Sequence, residues 1–269
     1  MKKIRLDVLL VERNLIDTRE KAKRMIMAGL VFSEQERLDK PGMKVVADIP
    51  LTIKGKPIPY VGRGGLKLEK ALQTFSISAK DKTMIDVGAS TGGFTDCALQ
   101  QGAKLCYAID VGYNQLDWKL RSDDRVVVME RTNFRYVTPD MLKKGKPNLA
   151  TVDVSFISLK LILPVLKQLL TNNSDIIILI KPQFEAGREQ VGKKGIVRDP
   201  NIHQEVIENI SLFAKNEGYQ LLDLTYSPIT GGEGNIEFLA HLGWEKEILA
   251  NEFKSEQINK VVTEAHQTL

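Results

Sequence analysis

Apolar side chains recur in the first part of the chain with two different patterns. Residues 6–13 and 18–28 carry them at helical spacing, which predicts two helices with one buried face each. Residues 30–32, 45–46 and 51–53 are short apolar segments separated by turn residues and predict strands. The pattern is typical of a small α+β module.

From residue 83 onward, strand-sized apolar runs alternate with helical stretches, the pattern of a mostly parallel sheet with helices on both faces. The last two runs are joined by a short connection, residues 228–234, and predict an antiparallel hairpin at one edge. The predicted fold class is α/β, with a doubly wound, Rossmann-like sheet of seven strands. The predicted strands are residues 83–87, 105–109, 126–129, 149–153, 176–180, 221–225 and 236–241.

Prolines and glycines mark a division of the chain near residue 60. Pro57, Pro59 and the run Gly62-Arg63-Gly64-Gly65 interrupt regular structure. The sequence therefore predicts a small N-terminal domain over residues 1–59, a linker over residues 60–65 and a larger domain over residues 66–269.

Positive charge is concentrated in the predicted N-terminal domain. Residues 1–60 contain 13 Lys and Arg against 8 Asp and Glu, whereas the net charge of the whole chain is only +4. A basic module of this kind is typical of nucleic-acid binding, and a solvated basic face is the alternative explanation.

Composition argues against several classes of protein. No apolar run approaches the about 20 residues that span a bilayer, and the charged start of the chain, with Lys2, Lys3 and Asp7, does not resemble a signal peptide. We therefore expect a cytoplasmic protein without a membrane partner. Cys97 and Cys106 form neither a disulfide framework nor a metal cluster, and we expect no metal.

A glycine-rich turn follows the first strand of the predicted sheet. Its glycines, at positions 88, 92 and 93, match neither the spacing of dinucleotide sites nor a phosphate-binding loop. Asp110 ends the next strand, where a carboxylate can accept both hydroxyls of a ribose. This combination favours S-adenosylmethionine over NAD. The predicted cofactor residues are Asp86, Gly88, Ala89, Ser90, Thr91, Gly92, Gly93, Phe94, Asp110, Val111 and Asn133.

Four ionisable side chains stand at the ends of apolar segments or within them. Lys67 follows the glycine-rich linker, Asp153 closes the fourth strand, Lys181 comes directly after five aliphatic residues, and Glu237 lies within the last strand. Ligands bind at the carboxyl ends of strands in such sheets, and a lysine in an apolar setting is paired or partly desolvated. These four are the predicted catalytic residues, and structural salt bridges are the alternative explanation of each.

Several short strings in the N-terminal segment match one known fold. Arg5-Leu6-Asp7, residues 18–22, Ile26 and Gly29-Leu30-Val31 resemble an S4 domain, the fold of ribosomal protein S4 and pseudouridine synthases. The resemblance implies that the second helix and the loop after it bind structured RNA. Residues 33–36 depart from the family, which usually carries an Asn-Gly turn there. The predicted RNA-binding side chains are Arg5, Arg19, Lys21, Lys23, Arg24 and Arg63.

The order of the four ionisable residues resembles the tetrad of the FtsJ-like ribose 2′-O-methyltransferases. With the S4-like module in front, the whole chain resembles the TlyA (hemolysin A) family. The matching strings are residues 61–68, 153–159, 181–185 and 195–200. The resemblance implies a class I methyltransferase fold.

The same resemblance implies an activity. It is the transfer of a methyl group from S-adenosylmethionine to a cytidine 2′-hydroxyl of ribosomal RNA, 16S, 23S or both, with ribosomal RNA or ribosomal subunits as partners. We assign Lys181 as the general base. Asp153 holds that lysine, while Lys67 and Glu237 orient the ribose.

Three other functions fit parts of the sequence. The family label hemolysin points to a membrane-active cytolysin, which no amphipathic or spanning segment supports. A small-molecule methyltransferase has no need of an S4-like module. A non-catalytic RNA-binding protein has no need of a complete tetrad.

Overall fold

The computed structural model describes residues 3–27, 29–55, 58–231, 234–246 and 255–269. It divides the chain into an N-terminal unit, residues 1–63, and a C-terminal unit, residues 64–269. The division falls inside the linker predicted at residues 60–65. Gly64 and Gly65 differ from that prediction because they form the first turn of a helix.

Among its described residues, the N-terminal unit has two short helices and two small sheets. Strand β1 (Lys3–Arg5) pairs antiparallel with β4 (Lys44–Val46), and β2 (Val31–Ser33) pairs antiparallel with β3 (Glu36–Arg37) and β5 (Thr52–Ile53). Helices α1 (Leu6–Glu12) and α2 (Arg19–Met27) bury the two predicted apolar stripes in a common core. The predicted helices are confirmed, whereas the short strands β1 and β3 were not predicted.

The C-terminal unit is built on a seven-stranded sheet with the order β11-β12-β10-β9-β6-β7-β8. Its strands are β6 (Thr83–Val87), β7 (Leu105–Ile109), β8 (Val126–Met129), β9 (Leu149–Val152), β10 (Ser174–Ile180), β11 (Tyr219–Tyr226) and β12 (Phe238–Trp244). The helices are α3 (Gly64–Thr74), α4 (Gly93–Gln100), α5 (Trp118–Arg121), α6 (Leu163–Leu169), α7 (Pro182–Glu185), α8 (Pro200–Asn216) and α9 (Ser255–Thr268). Short 3-10 turns lie at Phe134–Tyr136, Pro139–Met141, Leu159–Leu161, Arg188–Gln190 and Lys193–Gly195.

The central strands are mostly apolar because both faces of the sheet are covered. All seven residues of β10 are buried. Side chains of one face pack into a core shared with α6, α8 and α9. The continuous aliphatic runs of the sequence are the consequence of this double burial.

The predicted hairpin is confirmed, and its strand order matters for the site. Strand β12 runs antiparallel to both β10 and β11 and lies between them. It therefore begins at the edge where the parallel strands end. Helix α9, which packs on α8 and β11, was not predicted.

None of the described helices is long and apolar enough to cross a bilayer. Cys97 and Cys106 are both buried, as expected for small core side chains.

Candidate active site

Three predicted catalytic residues meet because of the strand register. Asp153 follows β9, Lys181 follows β10 and Glu237 precedes β12. Val152 pairs with Ile178, and Ile180 pairs with Phe238, so the residues flanking these strands share one edge of the sheet. Glu237 lies just outside the strand in which it was predicted.

Helix α3 adds the fourth residue, and the four side chains form one row of alternating charge. The Lys181 Nζ lies 2.5 Å from Asp153 Oδ1. The Lys67 Nζ lies 3.4 Å from Asp153 Oδ2 and 2.7 Å from Glu237 Oε2. The predicted tetrad is thus assembled in the order Lys181, Asp153, Lys67, Glu237.

Burial of the row makes its charges interdependent. Lys67 and Lys181 are each 6% exposed and Glu237 is 3% exposed. Burial by itself lowers the pKa of Lys67, but the carboxylates of Asp153 and Glu237 outweigh it and raise that pKa. Burial likewise opposes ionisation of Asp153, and the two lysines lower its pKa in spite of it. Lys67 therefore remains charged, and Asp153 remains a carboxylate.

The surroundings of Lys181 differ from those of Lys67. Lys181 contacts one carboxylate rather than two, and its Nζ also donates to Ser155 Oγ at 3.1 Å. Ser155 was not among the predicted site residues, although it stands two positions after Asp153 in the predicted strand-end string.

An aromatic pair stands beside this lysine. Phe156 is 91% exposed and has a positive φ of 63°, which is unusual for a bulky residue. Its ring centroid lies 5.0 Å from that of Phe184, and Lys181 Nζ lies 5.9 Å from the Phe184 centroid. Nearby, Gln183 Oε1 is buried without a hydrogen-bond partner among the described residues, so it is an acceptor that a donor on a ligand could satisfy.

The predicted cofactor turn runs directly beneath the tetrad. Gly88 has a φ of 86°, and a Cβ built on it would lie 2.4 Å from the carbonyl oxygen of Asp153. Only glycine allows the turn to approach Asp153 this closely. Ser90 and Gly92 also have positive φ angles, so this turn is shaped by backbone conformation at several positions.

Asp110 is joined to the turn by its carboxylate. Ser90 N donates to its Oδ2 and Gly112 N donates to its Oδ1, each at 2.7 Å. Each carboxylate oxygen has further acceptor capacity, so the site fits the two hydroxyls of a ribose. Val111 is 71% exposed beside it, and the Asn133 side chain accepts from Arg135 N at 3.2 Å.

The other predicted cofactor residues lie at different depths. Asp86 is 1% exposed and accepts hydrogen bonds from Thr95 Oγ1 at 2.7 Å and Thr151 Oγ1 at 2.9 Å. Burial raises its pKa to about 6, although both hydroxyls act in the opposite direction. Asp86 therefore supports the turn from beneath. Among the other predicted cofactor residues, the buried ones are Ala89, Gly92, Gly93 and Phe94. Ser90 and Thr91 are more exposed.

One residue that shapes the cofactor side was missed by sequence reasoning. Glu130 follows β8, and its carboxylate accepts from the backbone N–H groups of Asn114, Gln115 and Leu116 at 2.9 to 3.3 Å. Arg121 donates to the same carboxylate at 2.5 Å. Glu130 thereby fixes the loop after Asp110. The available signal was a third acidic residue at the end of a predicted strand.

The predicted RNA-binding residues belong to the N-terminal unit, and their environments differ. Arg5 and Arg19 both bind Asp7, whereas Lys21 and Lys23 pair with the exposed Asp17 and Glu20. Arg24 is exposed on α2, and Arg63 is the last residue of the unit.

Within the described ranges, no group of three or more His, Cys, Asp or Glu side chains is arranged to hold a metal ion.

Fold and site together define an S-adenosylmethionine-dependent methyltransferase architecture preceded by an S4 domain. A Mesorhizobium loti S-adenosylmethionine-dependent methyltransferase superposes with a TM-score of 0.50 at 11% identity, covering 68% of this chain and 100% of that one. At this identity the similarity is one of fold alone. Residues 60–244 match the FtsJ-like methyltransferases and residues 4–48 match the S4 domain. The chain belongs to the FtsJ-like methyltransferase family.

Relatives extend the likeness over nearly the whole chain. YqxC of Bacillus subtilis is 66% identical over 269 residues, covering 100% of this chain and 96% of the relative. The Mycobacterium tuberculosis 16S/23S rRNA (cytidine-2′-O)-methyltransferase TlyA is 40% identical over 242 residues, 90% of each chain. A solved structure from Streptococcus thermophilus is 52% identical with a TM-score of 0.80, covering 100% of this chain and 97% of that one.

Proposed function

We propose that this protein transfers a methyl group from S-adenosylmethionine to the 2′-hydroxyl of a cytidine in ribosomal RNA. The observation that carries the proposal is the buried row of Lys181, Asp153, Lys67 and Glu237 at the carboxyl edge of the sheet. The TlyA relative that acts on 16S and 23S rRNA supports the substrate.

The C-terminal unit has a site that suits this cofactor. Gly88 and its neighbours would hold the methionine part, and Asp110 would accept from the ribose hydroxyls. Val111 and Asn133 would lie near the adenine. When bound, S-adenosylmethionine supplies an electrophilic methyl group and a good leaving group.

The chain's own residues supply base and orientation. Lys181, as the neutral amine, takes the proton from the ribose 2′-hydroxyl, a poor nucleophile until it is deprotonated. Asp153 holds Lys181 in position through their 2.5 Å contact. Lys67 keeps its charge between the two carboxylates and, with Glu237, orients the ribose.

Each unit offers RNA contacts of its own. The basic S4 domain supplies phosphate contacts, which position an RNA. The exposed Phe156 beside Phe184 offers a surface on which an unstacked base can stack. A cytoplasmic location follows from a ribosomal RNA substrate.

The direct test is methylation of defined RNAs. Purified protein with S-adenosylmethionine is incubated with 16S and 23S rRNA transcripts and with isolated ribosomal subunits, and 2′-O-methyl positions are mapped by resistance to alkaline hydrolysis. A new resistant cytidine is expected in at least one substrate, and none with Lys181→Ala. Methylation confined to bases would refute the assignment to the ribose.

Loss of the Asp110 carboxylate is expected to weaken cofactor binding. Asp110→Ala removes two ribose hydrogen bonds and releases Ser90 N and Gly112 N. Hydrogen bonds to a charged group contribute about 1.5–3 kcal/mol each, so a loss in affinity of at least roughly tenfold is expected by calorimetry. Asp124→Ala, a change at an exposed carboxylate of the same unit, should leave affinity unchanged. Equal affinities in the two variants would remove Asp110 from the ribose site.

A further inference from the structure

The N-terminal unit contains a carboxylate that the proposed function does not use. Asp7 is fully buried, with 0% of its side chain exposed, whereas the two arginines that bind it are 45% and 50% exposed. Arg5 donates from Nε to Oδ1 and from Nη2 to Oδ2, both at 3.0 Å. Arg19 donates from Nε to the same Oδ2 at 3.0 Å.

The carboxylate is fixed by the backbone around it. Asp7 N donates to Pro41 O, and the preceding Leu6 N donates to Met43 O. The Arg5 guanidinium lies over Gly42, where a Cβ would come within 3.4 Å of its Nη1. The hydrogen bond from Arg5, assisted by Arg19, outweighs burial and lowers the pKa of Asp7 to about 2. Asp7 therefore stays ionised and holds both arginines at neutral pH.

Donors remain on both guanidinium groups after Asp7 is satisfied. A guanidinium has five N–H donors in a rigid plane, of which Asp7 takes two from Arg5 and one from Arg19. Both side chains donate to the same Oδ2 of Asp7, and they are 45% and 50% exposed, so solvent reaches a part of each side chain. Lys21 and Lys23 lack such an anchor, since their partners Asp17 and Glu20 are 80% and 71% exposed.

We propose that Asp7 is a positioning residue that presents Arg5 and Arg19 as one phosphate-binding fork for the backbone of the substrate RNA. Planar guanidinium groups bind phosphate oxygens in pairs, and a fixed orientation reduces the side-chain entropy lost on binding. The proposal rests on the proposed function, because it takes RNA as the ligand of this unit.

Charge and orientation predict opposite effects of one substitution. Asp7→Asn makes the unit more positive by one charge, so charge alone predicts tighter RNA binding. Loss of the anchor releases both arginines and predicts weaker binding. Asp17→Asn removes the same charge from an exposed position of this unit and is the matched control.

The experiment uses the full chain, 16S and 23S rRNA transcripts, and RNA affinity measured over a range of salt concentrations. Asp7→Asn is expected to weaken binding roughly tenfold and to reduce the salt slope by about one to two phosphate contacts. Asp17→Asn should bind as tightly as the wild type or more tightly. In an Arg5→Ala/Arg19→Ala background, Asp7→Asn should cause no further loss, because the carboxylate acts through those arginines.

Two results would overturn the fork: Asp7→Asn binding as tightly as Asp17→Asn, or a further loss in the double-alanine background. If Asp7→Asn lowers the melting temperature of the unit below the assay temperature, the RNA affinity of the Arg5→Lys/Arg19→Lys variant tests the proposal instead. That variant keeps the charge and lacks the planar fork, so an unchanged affinity would refute the proposal. Wild-type protein that binds RNA without methylating it would refute the proposed function and leave the fork standing.

Discussion

Lys181→Arg is expected to lose nearly all methyl transfer although it keeps the positive charge beside Asp153. Guanidinium does not give up its proton near neutral pH, so it cannot accept one from the ribose hydroxyl. General-base catalysis contributes about 10²–10⁴-fold, and a loss of that size in single-turnover rate is expected. Cofactor affinity, measured by calorimetry, should remain close to that of the wild type.

Lys67→Arg is the matched control for this prediction. Lys67 binds two carboxylates, and its pKa is raised in spite of its burial, so it acts as a charge and an arginine can partly replace it. Lys67→Arg should therefore keep a measurable part of the wild-type single-turnover rate, because it preserves the positive charge between Asp153 and Glu237. If Lys181→Arg retains activity and Lys67→Arg does not, the base has been assigned to the wrong lysine.

The strands of the sheet were predictable because burial on both faces produces continuous apolar runs in the sequence. The bounds of β6, β7 and β8 agree with the predicted runs at 83–87, 105–109 and 126–129. Helix α9 was missed although its buried residues Ile258, Val262 and Ala265 have helical spacing. The two-residue strand β3 was missed because so short a segment has no periodicity of its own.

The members of the tetrad could be predicted, but not the order of their contacts. Each stands beside an apolar strand or a glycine-rich turn, and parallel strands end at a common edge. That Lys67 lies between Asp153 and Glu237 depends on the position of β12 between β10 and β11. A sequence that predicts a hairpin does not specify which of its strands is inner.

Side-chain direction at a strand end could not be predicted either. Asp86 and Asp110 both lie at or near the ends of neighbouring strands, yet Asp86 points to Thr95 and Thr151 inside the unit. Asp110 points to the backbone of the glycine-rich turn. One residue of offset along a strand changes the face on which a side chain lies, and the exact strand end is set by its neighbours in the sheet.

Gly88→Ala is expected to damage the cofactor turn and the tetrad together. Alanine at a φ of 86° carries a backbone strain of about 1–3 kcal/mol. Its Cβ would also lie 2.4 Å from the backbone oxygen of Asp153. Since that oxygen belongs to the main chain and Asp153 N is bonded to Val87 O at 2.9 Å, relief requires the turn or the end of β9 to move.

Gly145→Ala separates the two contributions to this effect. Gly145 also has a positive φ, 113°, but a Cβ there would meet nothing within 4 Å. Its alanine variant should lose only a few degrees of melting temperature, at about 2–4 °C per kcal/mol for a unit of this size, and should keep full cofactor affinity. Gly88→Ala should melt at a clearly lower temperature and, where it is still folded, bind S-adenosylmethionine at least roughly tenfold more weakly, because a displaced turn changes the hydrogen bond between Ser90 and Asp110. Equal melting temperatures and equal cofactor affinities in the two variants would show that the turn accommodates a side chain at residue 88. The close approach of Gly88 to Asp153 would then not be required to position the cofactor turn next to the tetrad.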